Sequence, residues 1–226
     1  MSLATTLSKN DQFVLSTILG GGEGPAIEFS NPNKRKIVVD VEMQPDRHIK
    51  EVEPLVEMEK TAIKLIENQK DYERASAILD SIIKQEPNYA SAYNNRAQLK
   101  RLLISNDANE ESQFNSIIDD LEKAIKLAEP EGKNSGLDII VSKMQATLLQ
   151  NAYTQLGAIY IKMAGIPANA DRAWNFEEKA SQMLYRAGEY GSELAKELSS
   201  KVNPYAKLCG NMVQEALARE QRNLYQ

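Results

Sequence analysis

With 226 residues, of which 42% are apolar and 26% charged, the chain can bury a hydrophobic core, and its net charge of −5 disfavours nucleic acid as a partner because neutralising phosphates requires a clustered basic surface. One cysteine excludes an internal disulfide, and the single histidine, His48, leaves too few ligands for a closed zinc site and lies in a polar stretch unsuited to a catalytic triad. No apolar run approaches the roughly 20 residues that span a bilayer, so we expect a soluble cytoplasmic or nuclear protein without metal, cofactor or membrane contact.

The first 50 residues are predicted to form an N-terminal arm. It opens with NDQFVLSTIL, a short amphipathic helix that Asn10 or Asp11 can cap. Glycine, proline and polar residues follow, except at IVVDV, residues 37–41, which has strand propensity but no obvious partner. The arm's helix either folds back onto the rest of the chain, hooks onto a second chain, or stays free as a docking peptide.

Residues 54–190 carry a helical pattern with a period of about 34 residues, in which large and small apolar residues interlock two helices. This pattern is typical of the tetratricopeptide repeat. Leu156-Gly157 in the third copy is its most diagnostic pair, and the apolar period upstream of it predicts that this helix begins near Leu137. The copies cover about residues 56–89, 90–131 and 137–184.

Residues 190–222 are predicted to form capping helices, because the last repeat of a stack leaves an apolar face uncovered. Asn203 would cap the final helix and Pro204 would occupy its first turn. Its apolar stripe, with Cys209 as a buried packing residue, consists of Tyr205, Leu208, Cys209, Met212 and Ala216. The predicted fold is therefore all-α, a tetratricopeptide-type superhelix of three helix pairs with a C-terminal cap and an N-terminal arm.

The first helix of each repeat should line a concave groove in which a partner's peptide or helix can lie. Asn94 and Asn95 lie in the first helix of the second repeat and destabilise it by roughly 1 kcal/mol relative to alanine. We therefore interpret Asn95 as a donor and acceptor for a bound peptide. The alternative is that both amides are simply solvated. The predicted groove residues are Lys60 and Lys64 in the first repeat, Asn94, Asn95, Gln98 and Arg101 in the second, and Asn151, Thr154, Gln155 and Lys162 in the third.

Four segments occur in an order that resembles the tetratricopeptide repeat protein 36 family: NDQFVLSTI, SAYNNRAQLKRL, RAWNFEEKA and NPYAKLC. The resemblance spans nearly the whole chain and departs from the family at residues 20–46 and 104–115. It implies a small adaptor of three repeats without catalysis. It also implies a connection with Hsp70-type chaperones and, for vertebrate relatives, with tyrosine degradation.

Two functions follow from these observations. The first is a non-enzymatic adaptor that binds a partner's peptide or helix in its groove. The alternative is a co-chaperone that recognises the acidic C-terminal tail of an Hsp70-type or Hsp90-type chaperone through a carboxylate clamp. Similar repeats build that clamp from lysine and asparagine in the first repeat, asparagine in the second, and lysine and arginine in the third. Lys60 and Asn95 match it, but Lys64, Asn151 and Gln155 do not, so we expect tail binding to be weaker by roughly a hundredfold or more.

Overall fold

The computed structural model describes residues 36–43, 52–104, 110–130 and 138–224. The helix predicted in NDQFVLSTIL lies outside them, and so do residues 105–109 of the long loop predicted at 104–115. The described part contains two short strands, β1 (Ile37–Asp40) and β2 (Ile139–Ser142). The α-helices of the described part are α1 (Val52–Lys64), α2 (Tyr72–Gln85), α3 (Ala90–Leu102), α4 (Glu110–Ala128), α5 (Lys143–Ala164), α6 (Ala173–Glu189), α7 (Glu193–Val202) and α8 (Pro204–Leu224).

Successive helices pack against one another in pairs, which confirms the all-α prediction. α1 pairs with α2, α3 with α4, and α5 with α6. One π-helical turn, Leu65–Gln69, extends α1, and a 3₁₀ turn, Pro167–Asn169, precedes α6. No helix in the described ranges has an apolar stretch long enough to cross a bilayer.

Among the described residues, two clusters of buried side chains form the core. The smaller one joins α1, α2 and α3 and includes Ala62, Leu79 and Leu99. The larger one runs from α3 to α7 and includes Phe114 and Leu149. Small residues at the crossing points let the helix backbones approach, as the repeat pattern predicts; the fully buried alanines are Ala62, Ala75, Ala92, Ala97, Ala124, Ala152, Ala180 and Ala187.

Gly157 explains why the Leu156-Gly157 pair marks this repeat. A Cβ atom at position 157 would lie 2.8 Å from Cγ of Leu184 on α6, closer than a real Cβ contact. Gly157 therefore sets the distance between α5 and α6. Leu156 beside it is 2% exposed and belongs to the larger core cluster.

The strands correct two predictions. β1 pairs in parallel with β2, with Ile37 opposite Ile139, so the segment that seemed to lack a partner has one in the third repeat. The helix predicted to begin near Leu137 begins at Lys143 instead, because the β-branched run IIV extends as a strand and the Ser142 hydroxyl then caps α5 by accepting the Gln145 N–H at 3.0 Å.

The C-terminal helix also differs from its prediction. Asn203 caps α8, accepting the Tyr205 N–H at 2.9 Å, and Pro204 opens it, as expected. The stripe that should cover the stack, however, is exposed; the exposed fraction is 54% at Tyr205, 49% at Leu208 and 63% at Met212, and Cys209 is exposed as well. The prediction is wrong because α7, through Ala195, Leu198, Ser199 and Val202, already packs against this end of the core.

Candidate peptide-binding groove

A hollow of about 550 Å³ opens between the first helices of the helix pairs, and we call it the hollow below. α1, α3 and α5 supply most of its lining, and Val41 and Met43, just after β1, supply the rest. Its polar side chains are Glu59, Ser91, Asn94, Asn95, Lys143, Thr147 and Asn151. Its apolar side chains are Val41, Met43, Ile63, Met144 and Leu148.

Glu59 is the buried acid of this lining, with 6% of its surface exposed. Tyr89 donates its hydroxyl to one carboxylate oxygen at 3.0 Å. Ser91 Oγ and Asn95 Nδ2 both donate to the other oxygen at 2.5 Å. Hydrogen bonds to a carboxylate are stronger than those between neutral groups, so Glu59 connects α1 firmly to α3.

A series of side-chain amides continues from Glu59 toward α5. The Asn94 amide donates to Asn95 Oδ1 at 3.5 Å, a long contact, and Gln155 Nε2 donates to Asn94 Oδ1 at 3.0 Å. Asn94 and Gln155 are only 6% and 8% exposed. Asn94 and Asn95, in the middle of α3, thus connect α1, α3 and α5 through side-chain hydrogen bonds. This explains why a helix tolerates them.

Three of the predicted groove residues line the hollow: Asn94, Asn95 and Asn151. On α1, Lys60 and Lys64 are exposed but lie outside the lining, and Lys60 Nζ is 2.7 Å from Glu57 Oε1. On α3, Gln98 and Arg101 are exposed and also lie outside it.

The remaining predicted residues lie on α5, outside the lining. Thr154 is half-buried and donates its hydroxyl to the Gln150 carbonyl at 2.7 Å. Lys162 is exposed, with Nζ 5.2 Å from the centre of the Phe114 ring. The projection of Gln155 onto the groove surface is wrong, because its side chain is buried against Asn94; among the described residues its Oε1 is a buried atom without a hydrogen-bond partner.

A second polar cluster supports α3 from the side of α2 and α4. Arg96 donates two hydrogen bonds to Asp120, at 2.9 and 2.6 Å, and a third to Asp80 at 2.7 Å. Lys100 Nζ lies 2.7 Å from Asp120 as well. The hydrogen bond to Asp120 raises the pKa of Arg96 above its ordinary value. This cluster fixes the helix that carries Asn94 and Asn95.

On the helices, sequence reasoning missed seven residues of the lining: Glu59, Ile63, Ser91, Lys143, Met144, Thr147 and Leu148. Glu59 left a readable signal, because it interrupts the apolar stripe of α1 between Leu55 and Ala62, where a charge needs partners. No sequence signal places Val41 and Met43 in the hollow, since their position depends on the pairing of β1 with a strand about 100 residues away.

Three similar proteins indicate the family to which the chain belongs. The chain is 30% identical over 217 residues to the tetratricopeptide repeat protein 36 homolog of Drosophila melanogaster, covering 93% of this chain and 94% of that protein. It is 31% identical over 133 residues to tetratricopeptide repeat protein 36 of Danio rerio, covering 59% of this chain and 54% of that protein. It is 34% identical over 169 residues to the L-tyrosine degradation gene cluster protein hmgX of Aspergillus fumigatus, covering 63% of this chain and 64% of that protein.

The chain thus spans less than two thirds of the length of the Danio and Aspergillus relatives. No family model and no solved structure matches it. The match to the Drosophila protein runs through nearly all of both chains, and the helices form the pairs that the repeat requires. The chain therefore belongs to the tetratricopeptide repeat protein 36 family.

Proposed function

We propose that this protein is a non-enzymatic adaptor whose hollow binds a short segment of a partner protein. The observation that carries the proposal is the hollow itself, which the first helices of all three pairs line. Lys143, Met144, Thr147 and Asn151 are exposed around it, while Glu59 and Asn94 are buried in it.

The lining favours a segment with both apolar and hydrogen-bonding side chains. Ile63, Met144 and Leu148 offer apolar contacts, and methionine adapts to differently shaped partners. Asn151 can donate to and accept from a peptide backbone, and Thr147, whose hydroxyl donates to the Lys143 carbonyl at 2.9 Å, can accept from it. The amides of Asn94 and Asn95 support this surface through their bonds within the protein.

An acidic tail suits the hollow poorly. Glu59 and Lys143 place one carboxylate and one ammonium group in the lining, so it lacks the excess of positive charge that would attract consecutive carboxylates. The clamp hypothesis also needs Lys60 and Asn95 to converge on one ligand, whereas Lys60 lies outside the lining and pairs with Glu57. These contacts support the adaptor over the acidic-tail co-chaperone.

The name of the Aspergillus relative supports a class of partner. That protein is described as part of an L-tyrosine degradation gene cluster. We infer that the enzymes of L-tyrosine degradation are the first partners to test, with a segment of one of them occupying the hollow.

The experiment measures binding of the full chain to each purified enzyme of L-tyrosine degradation. Met144→Arg adds bulk and charge at the rim of the hollow, where Met144 is 40% exposed, and should weaken binding about tenfold. Met212→Arg is the matched control, because Met212 is an exposed methionine on α8, outside the lining of the hollow. It should bind like the wild type.

Each result has a separate meaning. Binding to no enzyme of the pathway would reject this class of partner. Binding that Met144→Arg leaves unchanged would reject the hollow as the site. A peptide that ends in consecutive acidic residues should not bind at moderate salt, and its binding would favour the co-chaperone instead.

A further inference from the structure

The small sheet of β1 and β2 is unusual in its setting. Within the described residues it has two parallel strands, and parallel sheets normally have both faces covered. Here the exposed fraction is 43% at Val38, 43% at Val39 and 56% at Ile140. Two strands alone are marginally stable, and an edge strand with exposed aliphatic side chains can pair with a further strand.

The backbone of β1 shows which of its edges is used. Lys36 turns both its backbone groups toward β2: its carbonyl accepts the Ile139 N–H at 2.9 Å, and its own N–H donates to Asp138 Oδ1 at 3.2 Å. Backbone groups of successive strand residues point to alternate edges, so Val38 and Asp40 also face β2. Ile37 and Val39 therefore present their N–H and C=O groups at the outer edge.

The two charged residues of β1 can pair with those of a second β1 that runs in the opposite direction. Lys36 stands at one end of the strand and Asp40 at the other, and both are exposed. One carboxylate oxygen of Asp40 accepts the Glu42 N–H at 2.9 Å, and within the described residues neither side chain forms an ion pair. When two copies of β1 run antiparallel with Val38 opposite Val38, each Lys36 lies opposite an Asp40. The same register places Ile37 opposite Val39, the residues whose backbone groups face outward, so each such pair can exchange two hydrogen bonds.

We propose that the outer edge of β1 pairs with the β1 of a second copy of this chain, forming a four-stranded sheet in the order β2, β1, β1, β2. Val38 and Ile140 are paired in register and both exposed, so this sheet would place Ile140, Val38, Val38 and Ile140 in one aliphatic row across its outer face. Contacts of this kind supply stability that two strands alone lack. The partner identified by this chemistry is a second copy, because its charges and its backbone match in one register.

Disulfide trapping in the full chain tests the register. Val38→Cys, combined with Cys209→Ser to remove the native thiol, should form a disulfide-linked dimer under mild oxidation. Opposed residues of a non-hydrogen-bonded pair have Cα atoms about 4.5 Å apart, within the range of a disulfide. Val41→Cys in the same background is the control: Val41 is more exposed, at 73%, but its two copies would be about 20 Å apart.

The cysteine at position 38 should cross-link at least about tenfold faster than the one at position 41. Equal rates, a faster rate at position 41, or no cross-linking of either would overturn the proposal. Absence of cross-linking at both positions is also the result expected if another part of the chain covers the outer edge of β1.

Charge reversal provides an independent test by analytical ultracentrifugation. Lys36→Asp and Asp40→Lys should each weaken dimerisation about tenfold, because each replaces two attractive pairs by two repulsive ones. A mixture of the two variants restores opposite charges at both positions and should dimerise as the wild type does. Failure of the mixture to recover, or dimers unaffected by either variant, would overturn the proposal.

Discussion

At the scale of single residues, Asn95 shows how a costly side chain becomes a structural connection. Its amide is one of the donors that satisfy the buried Glu59 carboxylate, beside those of Tyr89 and Ser91. The sequence identified Asn95 as unusual, because asparagine is a poor helix former. It could not identify the partner, because Glu59 is 36 positions away on another helix.

Asn95→Ala should lower the free energy of unfolding by about 1 to 3 kcal/mol, because it leaves a buried carboxylate with one donor fewer. Urea denaturation followed by circular dichroism measures this change. Gln98→Ala is the control on the same helix, since Gln98 is exposed and should change stability by less than about 0.5 kcal/mol. Equal stability of the two variants would mean that Asn95 is only solvated.

Tyr190 gives a prediction about pH. Burial raises its pKa to about 12, against 10.0 for an ordinary tyrosine. The folded state therefore holds this proton more tightly than the unfolded state does, so its contribution to stability is complete below pH 10 and is lost as pH rises from about 10 to about 12.

Urea denaturation at a series of alkaline pH values should thus show a falling free energy of unfolding. Tyr190→Phe should make that fall shallower. Tyr205→Phe, at an exposed position on α8, should leave it unchanged. A fall that is the same in all three proteins would assign the effect to other groups, among which Tyr153 also has a pKa raised by burial.

At the scale of elements, the distance between α5 and α6 depends on one glycine. Gly157→Ala should cost about 1 to 3 kcal/mol of unfolding free energy, because the added methyl group would meet Leu184 at 2.8 Å. Gly165→Ala is the matched control: its nearest neighbour would be the Lys162 carbonyl at 3.5 Å, an ordinary contact. Thermal unfolding of both variants measures the difference, and similar melting temperatures would show that Leu184 can move aside.

The elements also show how far a sequence predicts structure. Apolar periodicity located the helix pairs, because each helix buries one face against its neighbour. It failed at residues 137–142, where helical spacing and β-branched composition disagree and a distant strand decides the outcome. It failed again at α8, whose stripe has the right spacing for burial while α7 occupies the surface it would need.

At the scale of the whole molecule, β1 supports both the third repeat and the hollow. A chain that begins at residue 36 keeps β1, and a chain that begins at residue 44 loses it together with Val41 and Met43. The second truncation should be less stable by about 1 to 2 kcal/mol, because Ile37 no longer packs against the core. Its amides at 139–142 should exchange with deuterium faster. Equal stability and equal exchange in the two chains would show that β2 holds its conformation alone.

The pairing of β1 with β2 has a further consequence for how the chain folds. Repeats that contact only their neighbours can unravel from either end, one at a time. Here the Lys36 N–H donates to Asp138, 102 positions away, and β1 pairs with β2. The first two helix pairs therefore lie between two paired segments of the chain. While β1 and β2 stay paired, unfolding of the N-terminal pair gains less chain entropy, and refolding includes the slow meeting of two strands that are far apart in the sequence. In its kinetics this short solenoid should resemble a globular domain.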